Sequence, residues 1–143
     1  MSTRSLGFRR LAQALMRHSG LWWMAVVVWT VILWNLSANR ALPSGPEFPL
    51  KDKVMHCGYF GLGSACFLIA CFGRAKPTAQ RLFLAGFFFA ALIGAADEYH
   101  QTFTPGRSGN DPWDWLADVS GGLLAAWVSH RLLFKTLDSA ATR

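Results

Sequence analysis

The stretch SGLWWMAVVVWTVILWNLSAN, from Ser19 to Asn39, contains no Asp, Glu, Lys, Arg or His. A helix needs roughly 20 mostly apolar residues to cross the hydrocarbon of a bilayer, so this run can span on its own. It is long, rich in Trp and lacks the small-residue cleavage site of a signal peptide. Val54 to Gly73 reads the same way, interrupted among those residue types only by His56. Leu82 to Ala96 is apolar and rich in Phe, then runs into Asp97, Glu98, Tyr99, His100 and Gln101, which predicts a third span ending in a polar turn. A fourth segment begins near Pro112 and reaches about Phe134, with Asp114 and Asp118 early and Arg131 late. Asp111 suits the cap of that helix and Pro112 its first position.

Composition agrees with this reading. The chain has 143 residues, 52% of them hydrophobic and 15% charged, with 7 Trp and 11 Phe; that is too apolar for an ordinary soluble domain. The expected fold is an all-α membrane protein, a four-transmembrane-helix bundle forming a single membrane domain over 1–143, with helices at approximately 20–38, 52–73, 82–101 and 112–134. The first 18 residues form a basic tail. There Leu6, Phe8, Leu11, Leu15 and Met16 lie among Arg4, Arg9, Arg10 and Arg17, as in a short amphipathic helix resting on an anionic membrane face. The net charge of +6 is spread over both tails and one short loop. No dense basic tract points to nucleic acid. Cys57, Cys66 and Cys71 share one apolar run, where neither a disulfide framework nor a zinc knuckle is expected; they read as lipid-facing or packing residues.

Lys and Arg set the expected orientation, because cytoplasmic segments retain them. The N-terminal tail, the loop holding Arg74, Lys76 and Arg81, and the C-terminal end carry ten of the 14, leaving Arg40, Lys51, Lys53 and Arg107 opposite. Both termini are therefore expected in the cytoplasm. Seven of the eight acids, all but Asp138, fall on the other, outer side. Acids contribute little to orientation, so topology does not account for their clustering.

Asp52 and His56, Asp97 and Gln101, and Asp114 and Asp118 are each four residues apart, placing each pair on one helical face. At ~1.5 Å per residue, Asp118 lies roughly 9 Å and His56 roughly 6 Å into their helices. Ionisable groups at such depth face a partner or a wet cavity. Asp97 and Glu98 oppose the dipole at a helix C-terminus, so Arg107, Lys53 or a bound cation is expected to compensate them. Small residues at Gly58, Gly61, Gly63 and Ser64, at Gly94 to Ala96, and at Ser120 to Gly122, Ala125 and Ala126 predict close approach of helices two, three and four. Helix one is expected to be more peripheral.

Four segments in order, Asp52-Lys53-x-x-His56-x-x-Tyr59-x-x-Leu62, Asp97-Glu98-x-x-Gln101, Pro105-Gly106-Arg107-Ser108 and Asp114-x-x-x-Asp118-x-x-Gly121, together resemble the VanZ-like membrane protein family. The resemblance covers about Lys51 to Ala126. Asp118 stands where that family often has Asn, and the interval from Arg107 to Asp114 is one residue longer than usual there. The resemblance implies a multi-pass protein of a bacterial plasma membrane acting at the cell envelope. The founding member is associated with resistance to the glycopeptide antibiotic teicoplanin, which implies a link to antibiotic resistance but supplies no established reaction.

The candidate ligand-binding set is Asp52, Lys53, His56, Tyr59, Asp97, Glu98, Gln101, Arg107, Ser108, Asp114 and Asp118. Its leading use is to bind or handle an amphiphilic envelope ligand, a membrane lipid or lipid-linked precursor, with Arg107 and Lys53 meeting phosphate. The alternative is a membrane-embedded hydrolase or transferase with His56, Asp97, Glu98 and Asp118 as catalytic candidates. A divalent cation is compatible with either, the candidate ligands being Asp52, His56, Glu98 and Asp118. No activated Ser or Cys motif is present, so an enzyme here would use water. A third reading makes the polar groups plain helix glue.

Overall fold

The computed structural model describes residues 11–39, 48–75, 77–107 and 109–134, and all regular structure among them is helical. Four α-helices follow a helical run at 11–17: α1 (Ser19–Ser37), α2 (Lys51–Phe72), α3 (Ala79–Gln101) and α4 (Pro112–Val128). A π-helical turn, Ser129–Phe134, extends α4. The first ten residues of the expected basic tail, and Ser108 of the candidate site, lie outside the described residues. α1, α2 and α3 are each long and apolar enough to cross a membrane.

Local chemistry sets the helix ends. Thr78 precedes α3, and its hydroxyl accepts from the Arg81 amide at 3.3 Å, so the helix starts three residues before the apolar run that predicts it. Asp111 caps α4 by accepting from the Trp113 amide at 2.8 Å, with Pro112 as the first helical residue. Between α3 and α4, the Arg107 amide donates to the Thr104 carbonyl at 3.1 Å, and Gly106 has φ 87°. Pro105 at the second position and a left-handed Gly106 at the third are the signature of a type II turn. That turn orients Arg107.

Where no water is present, a polar group within a helix must find its partner close by. Thr30, Asn35 and Ser120 each bond the carbonyl four residues earlier, at 2.9, 2.7 and 2.8 Å. α4 is sided in the opposite sense to a soluble amphipathic helix. Trp113, Leu116, Leu124 and Trp127 are exposed, while Asp114 and Asp118 are buried.

α4 has its broadest contacts with α2 and α3, and α1 packs on α2 and more lightly on α3. Glycines set these distances. A Cβ on Gly121 would collide with the Cys57 carbonyl of α2, and one on Gly122 would lie 2.6 Å from the Ala90 Cβ of α3. α1 is fastened by a reciprocal clasp: Trp29 Nε1 donates to the Tyr59 carbonyl at 3.0 Å, and the Tyr59 hydroxyl donates to the Trp29 carbonyl at 3.1 Å. Two apolar clusters complete the interior, one around Trp29, Leu33, Phe60 and Ala90, the other around Leu68, Leu82, Ala125 and Ala126.

Candidate functional site

The up-and-down course of the helices brings the C-terminal ends of α1 and α3 to the same end of the bundle as the N-terminal ends of α2 and α4. Two polar networks meet there. The first lies between α2 and α4. His56 Nδ1 sits 2.9 Å from Asp118 Oδ1, and Asp118 is fully buried. An ionised carboxylate only accepts, so with Asp118 ionised Nδ1 carries the proton, and Nε2 faces the other way. That second nitrogen is 3.8 Å from Asp114 Oδ1 and 3.9 Å from Asp52 Oδ1. Lys53 directs its ammonium to three carboxylates, Asp114 at 2.5 Å, Asp111 at 3.0 Å and Asp52 at 3.2 Å. Its three N–H donors match three acceptors, so it acts within this cluster as an internal counterion. The Lys53 ammonium and the Trp113 amide hold the Asp111 carboxyl below the usual carboxylate range.

The second network runs from α1 through α3 to the turn. The Ser37 hydroxyl donates to Asp97 Oδ1, and Gln101 Nε2 donates to Asp97 Oδ2 at 2.8 Å. Gln101 Oε1 in turn accepts from Arg107 Nε at 3.1 Å, and Arg107 Nη1 donates to the Asn39 carbonyl at 3.3 Å. Arg107 thus reaches Asp97 through an amide. Among the described residues it forms no direct ion pair with Asp97 or Glu98, and the ion pairs of Lys53 likewise involve neither acid. Glu98 is served instead by backbone, its Oε2 accepting from the Asp111 amide at 2.6 Å.

Among the described residues five buried side-chain atoms have no hydrogen-bond partner, and two of them, Glu98 Oε1 and Asp118 Oδ2, are carboxylate oxygens at this end of the bundle. Gly94 makes room for Asp118, since a Cβ there would stand 2.7 Å from Oδ2. A buried carboxylate oxygen without a donor is costly, which sets this region apart from ordinary helix packing.

Between the networks opens a cavity of about 370 Å³. Asp52, His56, Ser37, Asp97, Gln101 and Arg107 form its polar part, and Leu33, Leu36, Met55, Phe60 and Leu62 much of its apolar wall. Tyr59 contributes to the lining while its hydroxyl is held in the clasp with Trp29. Lys53, Glu98, Asp114 and Asp118 are not among the lining residues. Sequence reasoning missed Ser37, the Asn39 carbonyl and the apolar wall. A lone serine at the end of a charge-free run carries no signal of its inward direction, and Leu or Met on a spanning helix reads as lipid-facing.

In comparisons with known proteins, no family model, no curated protein and no solved structure matches this chain.

Proposed function

We propose that this chain is a four-span protein of a bacterial plasma membrane, with both termini cytoplasmic, that binds an amphiphilic envelope ligand in a cavity near the outer face. The observation that carries the reading is the cavity's division: one part is lined by charged and amide groups, the rest by Leu, Met and Phe side chains. Such a shape accepts an acyl or prenyl tail together with a polar head group. Arg107 is held from two sides, by Gln101 and by the Asn39 carbonyl, and its planar fork suits a phosphate or carboxylate.

Several features support the membrane setting. The apolar outward stripe of α4, with its acids turned inward, favours a fourth span despite those charges. From Pro112 to Phe134 the helical path is roughly 30 Å, about the thickness of the hydrocarbon. Tyr99, Phe103 and Trp113 are 65%, 67% and 68% exposed near the site end. Aromatic belts of this kind mark the level of lipid head groups, which would put a bound head group at its natural height. The VanZ-like resemblance is consistent with an envelope role and extends the proposal to glycopeptide tolerance. Plain helix glue fits less well, because glue saturates its acceptors and here Glu98 Oε1 and Asp118 Oδ2 are left over.

Gly58 supplies the test, since it lines the cavity and a Cβ there would have nothing within 4 Å. Gly58→Leu should fill the space without disturbing helix contacts. Mass spectrometry of the protein purified in mild detergent should find an amphiphile on the wild type, at least about tenfold depleted in the variant, equivalent to ~1.4 kcal/mol. Equal amounts on both proteins, at matched thermal stability, would overturn the reading.

A second reading, a water-using hydrolase or transferase, is favoured by the His56–Asp118 pair. Asp118 fixes the tautomer and leaves Nε2 available as a general base toward the side where the cavity lies. In the same experiment, ligand converted by the wild type but retained intact by His56→Gln would move the assignment to catalysis.

A further inference from the structure

We propose that Asp52, His56 and Asp114 form a divalent-cation site beside the cavity, with Asp118 as the buried group that orients the histidine. One ligand atom from each of the three residues lies within 4.8 Å of the others. The His56 Nε2 separations of 3.8 and 3.9 Å are about half an ångström wider than the ~3.3 Å between adjacent tetrahedral donors on metal–ligand bonds of ~2.0–2.1 Å. Small side-chain rotations therefore bring all three donors onto one ion. The set combines one imidazole with two carboxylates, which suits Mn²⁺ or Zn²⁺ better than a cation that prefers oxygen alone.

Independent observations point the same way. Metal-bound histidines characteristically donate their other N–H to a carboxylate, which fixes the ring and raises its basicity. His56 does this to Asp118, a residue with no exposed surface. Asp118 and Glu98, at the same end of the bundle, are both at least nine-tenths buried and keep an unpartnered carboxylate oxygen each, so the region holds negative charge that no donor offsets. Asp52 and His56 both line the cavity, so water or a ligand head group can reach the open coordination positions.

Charge gives the driving force. Lys53 is the permanent cation paired with Asp52, Asp111 and Asp114, while Asp118 is paired with His56. With His56 neutral, as a metal ligand must be, that leaves three negative charges in excess, and a divalent ion reduces the excess to one. Lys53 need not leave. It approaches Asp52 through Oδ2, whereas His56 faces Oδ1, and it retains Asp111 when the ion takes Asp114 Oδ1. The inference does not depend on an amphiphile occupying the cavity, because the probe is the metal alone.

Titration of the purified chain with Mn²⁺, followed by the loss of the free-ion electron paramagnetic resonance signal, tests it. The wild type should bind one Mn²⁺ per chain, displaceable by Zn²⁺. Asp52→Asn and Asp114→Asn should weaken binding at least about tenfold, and Asp118→Asn by about tenfold through the histidine. Asp52 has 52% of its side chain exposed, so its replacement leaves packing intact and keeps the test valid if a buried variant fails to fold. No binding by the folded wild type, or equal affinity in the wild type and Asp52→Asn, would overturn the site.

Discussion

The two polar networks hold similar groups and differ in how they are balanced. Around Asp97, both carboxylate oxygens are paired, and the chain from Ser37 through Gln101 to Arg107 consists of neutral links with one cation at its end. Around His56, four carboxylates crowd one lysine and one imidazole, and Asp118 keeps an unpartnered oxygen. A buried network is stabilising when every member is satisfied and costly when it is not. The Asp97 network therefore has the properties of a frame: it ties α1, α3 and the turn together and sets Arg107. The His56 cluster has the properties of a working site, with capacity held in reserve.

Neutralising the central acid of each network should break this comparison first, and with the largest effect. Asp118→Leu leaves His56 Nδ1 without its acceptor in a fully buried position. Leaving a buried donor without its acceptor costs about 1–3 kcal/mol. Asp97→Asn keeps a carbonyl oxygen for one donor and loses part of the other bond, for about 1 kcal/mol, near the range of interhelical hydrogen bonds in membranes. Reversible unfolding in detergent measures both. Equal losses would mean that the two networks do the same structural job.

Arg107 sharpens the comparison from the other side and should have the intermediate effect. Arg107→Lys retains the cation but lacks the planar fork that presents Nε to Gln101 Oε1 and Nη1 to the Asn39 carbonyl in fixed geometry, so the charge is no longer aimed. Ligand carried through purification should fall about tenfold while stability changes by less than ~1 kcal/mol. Wild-type ligand levels in the variant would show that a point charge suffices and that the frame does not position a fork.

Much of this arrangement is legible in the sequence, and the physical reason is periodicity. Charge-free runs delimit α1 and α2, and the fourfold spacings put Asp52 with His56 and Asp114 with Asp118 on shared faces. The Asp97 to Gln101 pair is a real hydrogen bond at 2.8 Å. What periodicity lacks is register between helices. Nothing in a linear pattern says that Asp118 meets His56 Nδ1, that Lys53 divides itself among three carboxylates, or that Arg107 docks on an amide. The glycines show the same limit. Gly61 and Gly121 touch across α2 and α4, whereas Gly58, one turn away, faces open space. Identical residues on one helix serve packing and cavity, and only the neighbouring helices decide which.

Asp111 provides the smallest effect and the most direct reading of the cluster's charge, because it lies outside the spanning helices. Its carboxyl titrates below the ordinary value of 3.8 through the Lys53 ammonium and the Trp113 amide. A depressed folded-state pKa means that the group contributes stability in full above its unfolded value and loses it as pH falls through the folded one. The wild type should therefore be more stable than Asp111→Asn at neutral pH, with the difference closing as the solution is acidified below 3.8. Asn is as good an N-cap as Asp, so the cap on α4 survives the substitution and the comparison isolates the charge. Because Asp111 is solvent-facing, the difference should also shrink in high salt. No difference at neutral pH, or one that ignores both acid and salt, would show that the Asp111 charge contributes nothing, and that the three-carboxylate grip on Lys53 is less coupled than its distances suggest.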